Sequence, residues 1–400
     1  PTRAIILIDM DAFYSQVEQV RLGLTADDPI VVQQWDSFIA VSYSARRFGI
    51  RRNEMTVLEA HERCPELRAV HVATYAPGQT DYRYHAHPDR QTHKVSLEPY
   101  RDASAKVMAV LSRPRHGLAP RFERASIDEA FLDVTEIVLA RLAERFADYV
   151  PPGVAVRPDL PPAIDWTHAG RVITAADCED AVALPGPLAD GAPDPRDEPT
   201  WDALQLRVAA DLCAEIRGDV LKELGYTCSA GIAHSKTVAK LLAGRHKPNQ
   251  QTLLTEAYRL DFMRTVSFGT IRNLGGKFGD EVERELGITS CGDALRYPLA
   301  ELQAKFGDES GRWLYRIVRG LCDAAVVPRS KTKTMLASKM FRTPLRTFAD
   351  IRTWLGVLST ELFVRLSHLW EQEQRWPRTL VFTSRNPTAT ADRSKSGPFP

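Results

Sequence analysis

The sequence predicts a multidomain α+β protein, and three observations carry that expectation. A chain of 400 residues with 44% hydrophobic content exceeds one core and divides into domains of about 100–150 residues each. Short apolar runs rich in Ile and Val are interspersed with longer segments of helical period, the mixture from which α+β cores are built. Two of those runs, far apart in the chain, end in carboxylates: Ala4-Ile5-Ile6-Leu7-Ile8 leads into Asp9-Met10-Asp11, and Ala125-Ser126-Ile127 into Asp128-Glu129.

Taken in order, Ala4–Ile8 reads as a strand and Ala12–Leu22 as the helix after it, with Asp11 as its cap. Ile30–Gln34, Phe38–Val41 and Phe131–Val134 read as strands, and Tyr100–Leu111, Leu204–Leu224 and Ser235–Leu242 as helices. Residues 255–325 are helical and contain Leu274-Gly275-Gly276-Lys277-Phe278-Gly279 ahead of a helix from Asp280 to Leu286. Glycines that open a helix let backbone N–H groups approach a phosphate, while the helix dipole favours the anion. From about Lys331 a last domain begins, with a strand near Thr334–Phe341, a helix over Phe348–Trp370 and a strand at Thr379–Ser384. A polar tail is expected after it.

Two segments break the pattern. Pro151–Pro199 repeats Pro-Pro, contains Pro-Gly-Pro and carries an acidic excess, the composition of a flexible surface insertion without catalytic role. Ala76–His93 reads as a second insertion. Its His85, His87 and His93 have no acidic or cysteine partner at helical spacing, so no metal site is expected there.

Charge is uneven along the chain. Asp177–Asp202 holds eight acidic residues against Arg196 alone, whereas Arg312–Phe348 holds nine Lys/Arg against Asp323 alone. The second run, interleaved with Ser and Thr, suits a surface that follows a phosphate backbone. The six cysteines lack C-x-x-C spacing, which argues against a disulfide framework or a zinc site and for reduced, mostly buried thiols. No apolar run approaches the roughly 20 residues needed to cross a bilayer, and no signal segment opens the chain, so a soluble, non-secreted protein without a membrane partner is expected.

The carboxylates point to chemistry. A triphosphate cannot approach three of them unless divalent cations lie between, and two metals roughly 3.5–4 Å apart can hold both the attacking and the leaving oxygen. Mg²⁺ fits such a site because it takes oxygen ligands and is completed by substrate phosphates; Mn²⁺ is a substitute. Asp128 and Glu129 are adjacent like charges, which a shared cation would reconcile. The complementary cations are present. Ala40–Arg52 sets four arginines and Tyr43 in a short glycine-containing segment, where Arg46 offers a planar fork for phosphate oxygens. His246-Lys247-Pro248-Asn249 supplies another cation after a helix. No Walker A loop is present, because Gly231-Ile232-Ala233-His234-Ser235-Lys236-Thr237 lacks the glycine before its lysine.

Together, Ile8–Tyr14, Gln16–Gln19, Ala40–Arg52, Glu123–Ala130, Cys228–His234, His246–Thr252 and Leu274–Gly279 resemble the Y-family of translesion DNA polymerases, its eta branch most closely. The resemblance covers nearly the whole chain outside the two insertions. It implies a right-hand architecture: a palm of residues 1–12 and 95–254 with the acidic insertion 151–200, fingers 13–94 with the insertion 76–93, a helical thumb 255–328 and an incomplete α/β little finger 329–400. Asp9, Asp128, Glu129 and the Met10 carbonyl would hold two Mg²⁺ ions, with the three carboxylates catalytic. Tyr14 would be the sugar steric gate. Tyr43, Arg46 and Lys247 would bind the dNTP triphosphate, Arg52 would lie over the incoming base, and Gln33 would contact the templating base. Gly275, Gly276, Lys277, Lys331 and Lys333 would bind DNA phosphates.

The function so implied is template-directed DNA synthesis across damaged bases, including ultraviolet pyrimidine dimers, in the nucleus. Primer-template DNA and dNTPs are its substrates, and a sliding clamp is reached through a C-terminal region beyond this sequence. Three rivals stand beside it: a Y-family polymerase of another branch, a non-catalytic DNA-binding scaffold of the same fold, and a nucleotide cyclase, for which the basic run from Arg312 has no use.

Overall fold

A computed structural model describes residues 2–147, 161–178, 198–328, 333–385 and 392–399. The strands are β1 (Ile5–Met10), β2 (Ile30–Gln34), β3 (Ser37–Val41), β4 (Arg68–His71), β5 (Thr74–Tyr75), β6 (Lys94–Val95) and β7 (Arg121–Arg124). They continue with β8 (Glu129–Asp133), β9 (Arg171–Val172), β10 (Cys228–Ala233), β11 (Gln251–Leu253), β12 (Thr379–Ser384) and β13 (Arg393–Pro398). The helices are α1 (Phe13–Arg21), α2 (Tyr43–Arg46), α3 (Val57–Arg63), α4 (Glu98–Leu111), α5 (Thr135–Arg145), α6 (Trp201–Leu224) and α7 (Lys236–Ala243). After them come α8 (Arg259–Thr265), α9 (Lys277–Leu286), α10 (Cys291–Leu295), α11 (Leu299–Phe306), α12 (Asp308–Ile317) and α13 (Phe348–Glu373). This is the multidomain α+β fold the sequence predicts.

Two compact units divide the chain, residues 1–20 with 102–329 and residues 21–101 with 330–400. The first is built on a six-stranded sheet of order β7-β8-β1-β10-β11-β9. β1 lies between two antiparallel neighbours, β8 and β10, and its Ile5-Ile6-Leu7-Ile8 run is buried on both faces of the sheet, so it need not alternate with polar residues. Ile5, Leu7 and Phe131 share a core with α7 and with the helices from α8 to α12. Gly231 makes that approach possible: a Cβ there would stand 1.9 Å from the Ala239 carbonyl oxygen of α7. The thiols are free, and all but the half-buried Cys322 are buried.

The sheet corrects one expectation. Residues 161–178 are not part of a surface insertion: Arg171 and Val172 pair with Thr252 and Leu253 as its last strand, and Ala169 and Ile173 are fully buried. The proline and acidic composition of the wider segment masked this short apolar contribution. Most of the remaining insertion lies outside the described residues.

The second unit holds a three-stranded sheet of order β3-β2-β4 over a core of Val31, Phe38, Ile50, Ala60 and Leu67. Helix α13 shares a separate core with the 74–101 segment, where Tyr75 meets Trp354 and Val357. Beside it, Lys94 and Glu361 form an ion pair with side chains only 8% and 5% exposed. Arg365 completes the network, 3.7 Å from Glu98 and 3.5 Å from Glu361. His85 and His93 stack edge to face at 4.6 Å, and His85 bonds to Thr74, so the pair ties its loop to β5. Thr334–Phe341 forms no strand among the described residues, contrary to expectation. Its Leu336 carbonyl accepts a bond from the Arg365 side chain at 2.8 Å, and Lys339 bonds to the Arg90 and His93 carbonyls at 2.6 and 2.8 Å. The segment is thus held by one side chain bonding to its backbone and by one of its own side chains bonding to neighbouring carbonyls. The expected polar tail is instead partly ordered: β13 pairs with β12 along its length, and Phe399 packs edge-on against Trp376 at 5.7 Å.

Candidate active site

The site in the first unit begins with register. Asp9 of β1 stands opposite Glu129 of β8 on one side and Ser229 of β10 on the other. Directly paired residues project to the same face of a sheet, so the ladder alone aligns the Asp9 and Glu129 carboxylates. Asp128 precedes β8 in a turn. The Ser126 hydroxyl accepts the backbone N–H groups of Asp128 and Glu129 at 3.2 and 3.1 Å and donates to Asp128 Oδ1 at 2.5 Å. Strand and turn are further tied by the Met10 N–H, which donates to the Asp128 carbonyl at 2.9 Å. A turn at this point is how two adjacent acidic residues come to serve one site, since strand neighbours would otherwise point apart.

Two lysines face these carboxylates. Lys247 Nζ donates to Asp9 Oδ1 at 2.6 Å and to the Met10 carbonyl at 3.2 Å, and Lys240 Nζ of α7 donates to Glu129 Oε2 at 2.7 Å. Burial pushes the Asp9 carboxyl above its ordinary range; Lys247 opposes this, and Asp128 and Glu129 add to it. With Asp9 and Glu129 each drawn to a lysine, the oxygens of Asp9, Asp128 and Glu129 do not all lie within 4.8 Å of one another. The donor set is nevertheless all oxygen, three carboxylates and the Met10 carbonyl, which suits a hard divalent cation. A crowd of carboxylates already held against ammonium groups is an environment that stabilises positive charge.

Asp11 departs from its expected role. It is buried rather than a surface cap, and it accepts from Ser229 Oγ at 2.7 Å, Thr227 Oγ1 at 3.0 Å and the Asn249 N–H at 2.8 Å. It therefore braces β1, β10 and the turn that carries Lys247. Helix α1 starts only after Ala12, whose φ is 42°. Tyr14 lies in the first turn of that helix, half-buried, with its ring 6.0 Å from that of Phe13.

Gly276 caps α9, which starts at Lys277, three residues earlier than the predicted start at Asp280, and Gly275 and Lys277 are exposed beside it. Gly279 lets α9 close on its own loop, because a Cβ there would stand 1.7 Å from the Leu274 carbonyl oxygen. In the second unit, Arg46 lies over the ring of Tyr43 at 4.3 Å, and its Nε donates to the Val41 carbonyl at 3.1 Å. Gln33 is half-buried on β2 and donates to the Trp35 carbonyl at 2.5 Å. Arg52 and Lys333 are exposed. Lys331 lies outside the described residues.

Sequence reading passed over Lys240 and Ser126. Lys240 stands one helical turn after Lys236, and Ser126 two residues before Asp128, a spacing from which a hydroxyl bonds forward along a turn.

The family model described as impB/mucB/samB matches residues 8–244, and a DNApol eta/Rev1 HhH motif matches residues 268–321. The chain belongs to the impB/mucB/samB family, the Y-family its motifs resemble. It is 32% identical over 398 residues to DNA polymerase eta of Drosophila melanogaster, covering 95% of this chain and 42% of that protein. DNA polymerase eta of Saccharomyces cerevisiae is 30% identical over 441 residues, with coverage of 98% and 68%. N-acetyltransferase eso1 of Schizosaccharomyces pombe is 34% identical over 386 residues, with coverage of 96% and 42%. The chain thus spans less than half the length of two of these relatives. No described helix is long and apolar enough to cross a membrane.

Proposed function

We propose that this chain performs template-directed DNA synthesis across damaged bases, pyrimidine dimers included, by nucleotidyl transfer. The observation that carries the reading is the in-register pairing of Asp9 with Glu129, with Asp128 turned beside them by Ser126. Family membership and the two eta relatives support the polymerase class. In this reading Asp9, Asp128, Glu129 and the Met10 carbonyl hold Mg²⁺, or Mn²⁺ in its place. Bound there, the metal supplies charge neutralisation for a triphosphate and acidity for a primer 3′-hydroxyl.

The protein's own groups do the rest. Lys247, which already contacts the Asp9 carboxylate and the Met10 carbonyl, supplies a cation for the triphosphate at the same strand end. Tyr43 and Arg46, held together by their stacking, form a second cationic and hydroxyl pair for phosphate oxygens. Tyr14 excludes the 2′-hydroxyl, Arg52 lies over the incoming base and Gln33 faces the template base. Gly275, Gly276 and Lys277, with Lys331 and Lys333, bind DNA phosphates; the exposed helix start at Gly276 supports the first three.

The same reading divides the chain into palm (1–12 and 95–254), fingers (13–94), thumb (255–328) and little finger (329–400). It places the protein in the nucleus and adds a sliding clamp as partner.

Primer extension with Mg²⁺ and dNTPs, on templates with and without a thymine dimer, tests the proposal. Extension through the dimer near the undamaged rate is expected. A stop at the lesion would leave a Y-family polymerase of another branch, and no extension on either template would leave a DNA-binding scaffold.

A further inference from the structure

A cavity of about 190 Å³ lies within the first unit, between α7 and the loop before α9. Its apolar walls are Phe131 of β8 and Trp313 of α12, and its polar lining includes Lys236, Lys240, Arg272 and Asn273. None of the lining residues is acidic. Lys236 and Lys240 are four residues apart on α7 and therefore share a face of the helix. Each already has a carboxylate partner, Glu123 at 2.5 Å and Glu129 at 2.7 Å. Arg272 is exposed and acts on the Glu123 carboxylate through its charge alone, and its guanidinium donates no hydrogen bond among the described residues. The cavity therefore joins two aromatic walls to a guanidinium fork with bonding capacity to spare.

We propose that this cavity is a binding site for a small aromatic anion, one ring carrying a single phosphate or carboxylate. Size sets the upper limit, because cavities of about 150 Å³ hold benzene whereas pockets for drug-sized ligands run to roughly 300–1,000 Å³. The space takes one ring and an anionic head but not a whole nucleotide. Phe131 and Trp313 recognise the ring by offset or edge-on contact. Arg272 recognises the head through paired N–H donors, which match a phosphate or a carboxylate. The Asn273 amide is a further polar group in the lining. Lys240 joins this cavity to Glu129, so an occupant lies one side chain away from the proposed metal ligands.

Calorimetric titration of the full chain with phenyl phosphate, benzoate, inorganic phosphate and phenol tests the site, and it requires no primer extension. At least one of the two aromatic anions binds saturably at one site, and which one identifies the head group. Inorganic phosphate and phenol bind at least about tenfold more weakly, since each lacks one of the two recognition elements. Arg272→Ala, at an exposed position, and Trp313→Leu each weaken the aromatic anion by about tenfold or more. Absence of binding by both anions would overturn the proposal. So would inorganic phosphate binding as well as phenyl phosphate, or affinity untouched by Arg272→Ala in a variant whose melting curve matches the parent.

Discussion

Asp9 and Glu129 are register partners across the β1–β8 ladder, and each carboxylate is held by its own lysine, Lys247 and Lys240. Opposed residues of an antiparallel pair have Cα atoms about 4.5–5.5 Å apart, so the sheet itself brings two like charges close. Neighbouring carboxylates repel, and burial adds to the strain on Asp9. The lysines offset that repulsion, and a divalent cation would do so more fully.

Mg²⁺ should therefore stabilise the protein. A ligand that binds only the native state at about 100 times its Kd adds about 2.7 kcal/mol, worth several degrees in Tm. A thermal melt of the parent chain should rise with millimolar Mg²⁺, while Asp128→Ala should lose most of the rise and all primer extension. Equal Mg²⁺ responses in parent and variant would remove Asp128 from the metal site.

Ser126 should matter through Asp128. Its hydroxyl holds the turn and donates to the carboxylate, and losing a group that orients a metal ligand typically costs about 10–100-fold in metal affinity or activity. Ser126→Ala should show that loss as a higher Mg²⁺ requirement for extension, with saturating Mg²⁺ restoring part of the rate. A variant with the parent's Mg²⁺ dependence would assign Ser126 to the turn alone.

The central strand was legible because Ala4–Ile8 is a continuous apolar run, which a strand buried on both faces requires, and the carboxylates at its end marked where the sheet opens. Their pairing partner was not. Sequence reading found Asp128 and Glu129 but gave no register, which depends on β8 closing against β1. Residues 171–172 were hidden for a related reason: a two-residue strand has no period, and only the β11 edge makes it one. Thr334–Phe341 has strand composition, yet Arg365 and Lys339 settle it without a sheet. Asp11 was misread because a carboxylate ahead of a helix has the local form of a cap, while its actual donors come from Thr227, Ser229 and Asn249, more than 200 residues away.

The Lys94–Glu361 pair should be costly to break and cheap to replace. Removing one partner of a buried pair leaves an uncompensated charge and costs about 3–5 kcal/mol, whereas replacing both with apolar groups of similar volume is often neutral. Glu361→Ala should lower the denaturant midpoint for the second unit markedly, and Lys94→Met with Glu361→Leu should restore much of it. An equal loss in the single and double variants would mean that Arg365 and Glu98 carry the network.

Lys339 gives a pH dependence with a defined sign. It lies 4.9 Å from the Trp35 ring centre and 4.8 Å from that of Trp354, and burial pushes its ammonium from 10.5 down to about 8. Between those values the unfolded chain binds more protons than the native one, so native stability rises with pH there. Compared with Lys339→Met, the parent should gain stability from about pH 8 to pH 10 and show no change in that difference between pH 6 and 7. Parallel stability curves across the whole range would mean that Lys339 titrates alike in both states.

Tyr14 tests the proposed substrate. It sits at the start of α1, directly after the Asp9–Ala12 segment, where the left-handed turn at Ala12 and the Phe13 contact fix the ring. A rigid ring can reject a sugar only by occupying the space of the 2′-hydroxyl, a repulsive element that adds no affinity for the correct substrate. Discrimination by one small group in a fitted pocket is worth about 10–200-fold. Tyr14→Ala should raise ribonucleotide incorporation relative to deoxyribonucleotide by that order, and Tyr14→Phe, which keeps the ring, should leave the ratio near the parent's. If Tyr14→Phe relaxed selectivity as far as Tyr14→Ala, the hydroxyl would be the discriminating group and the exclusion would not be steric.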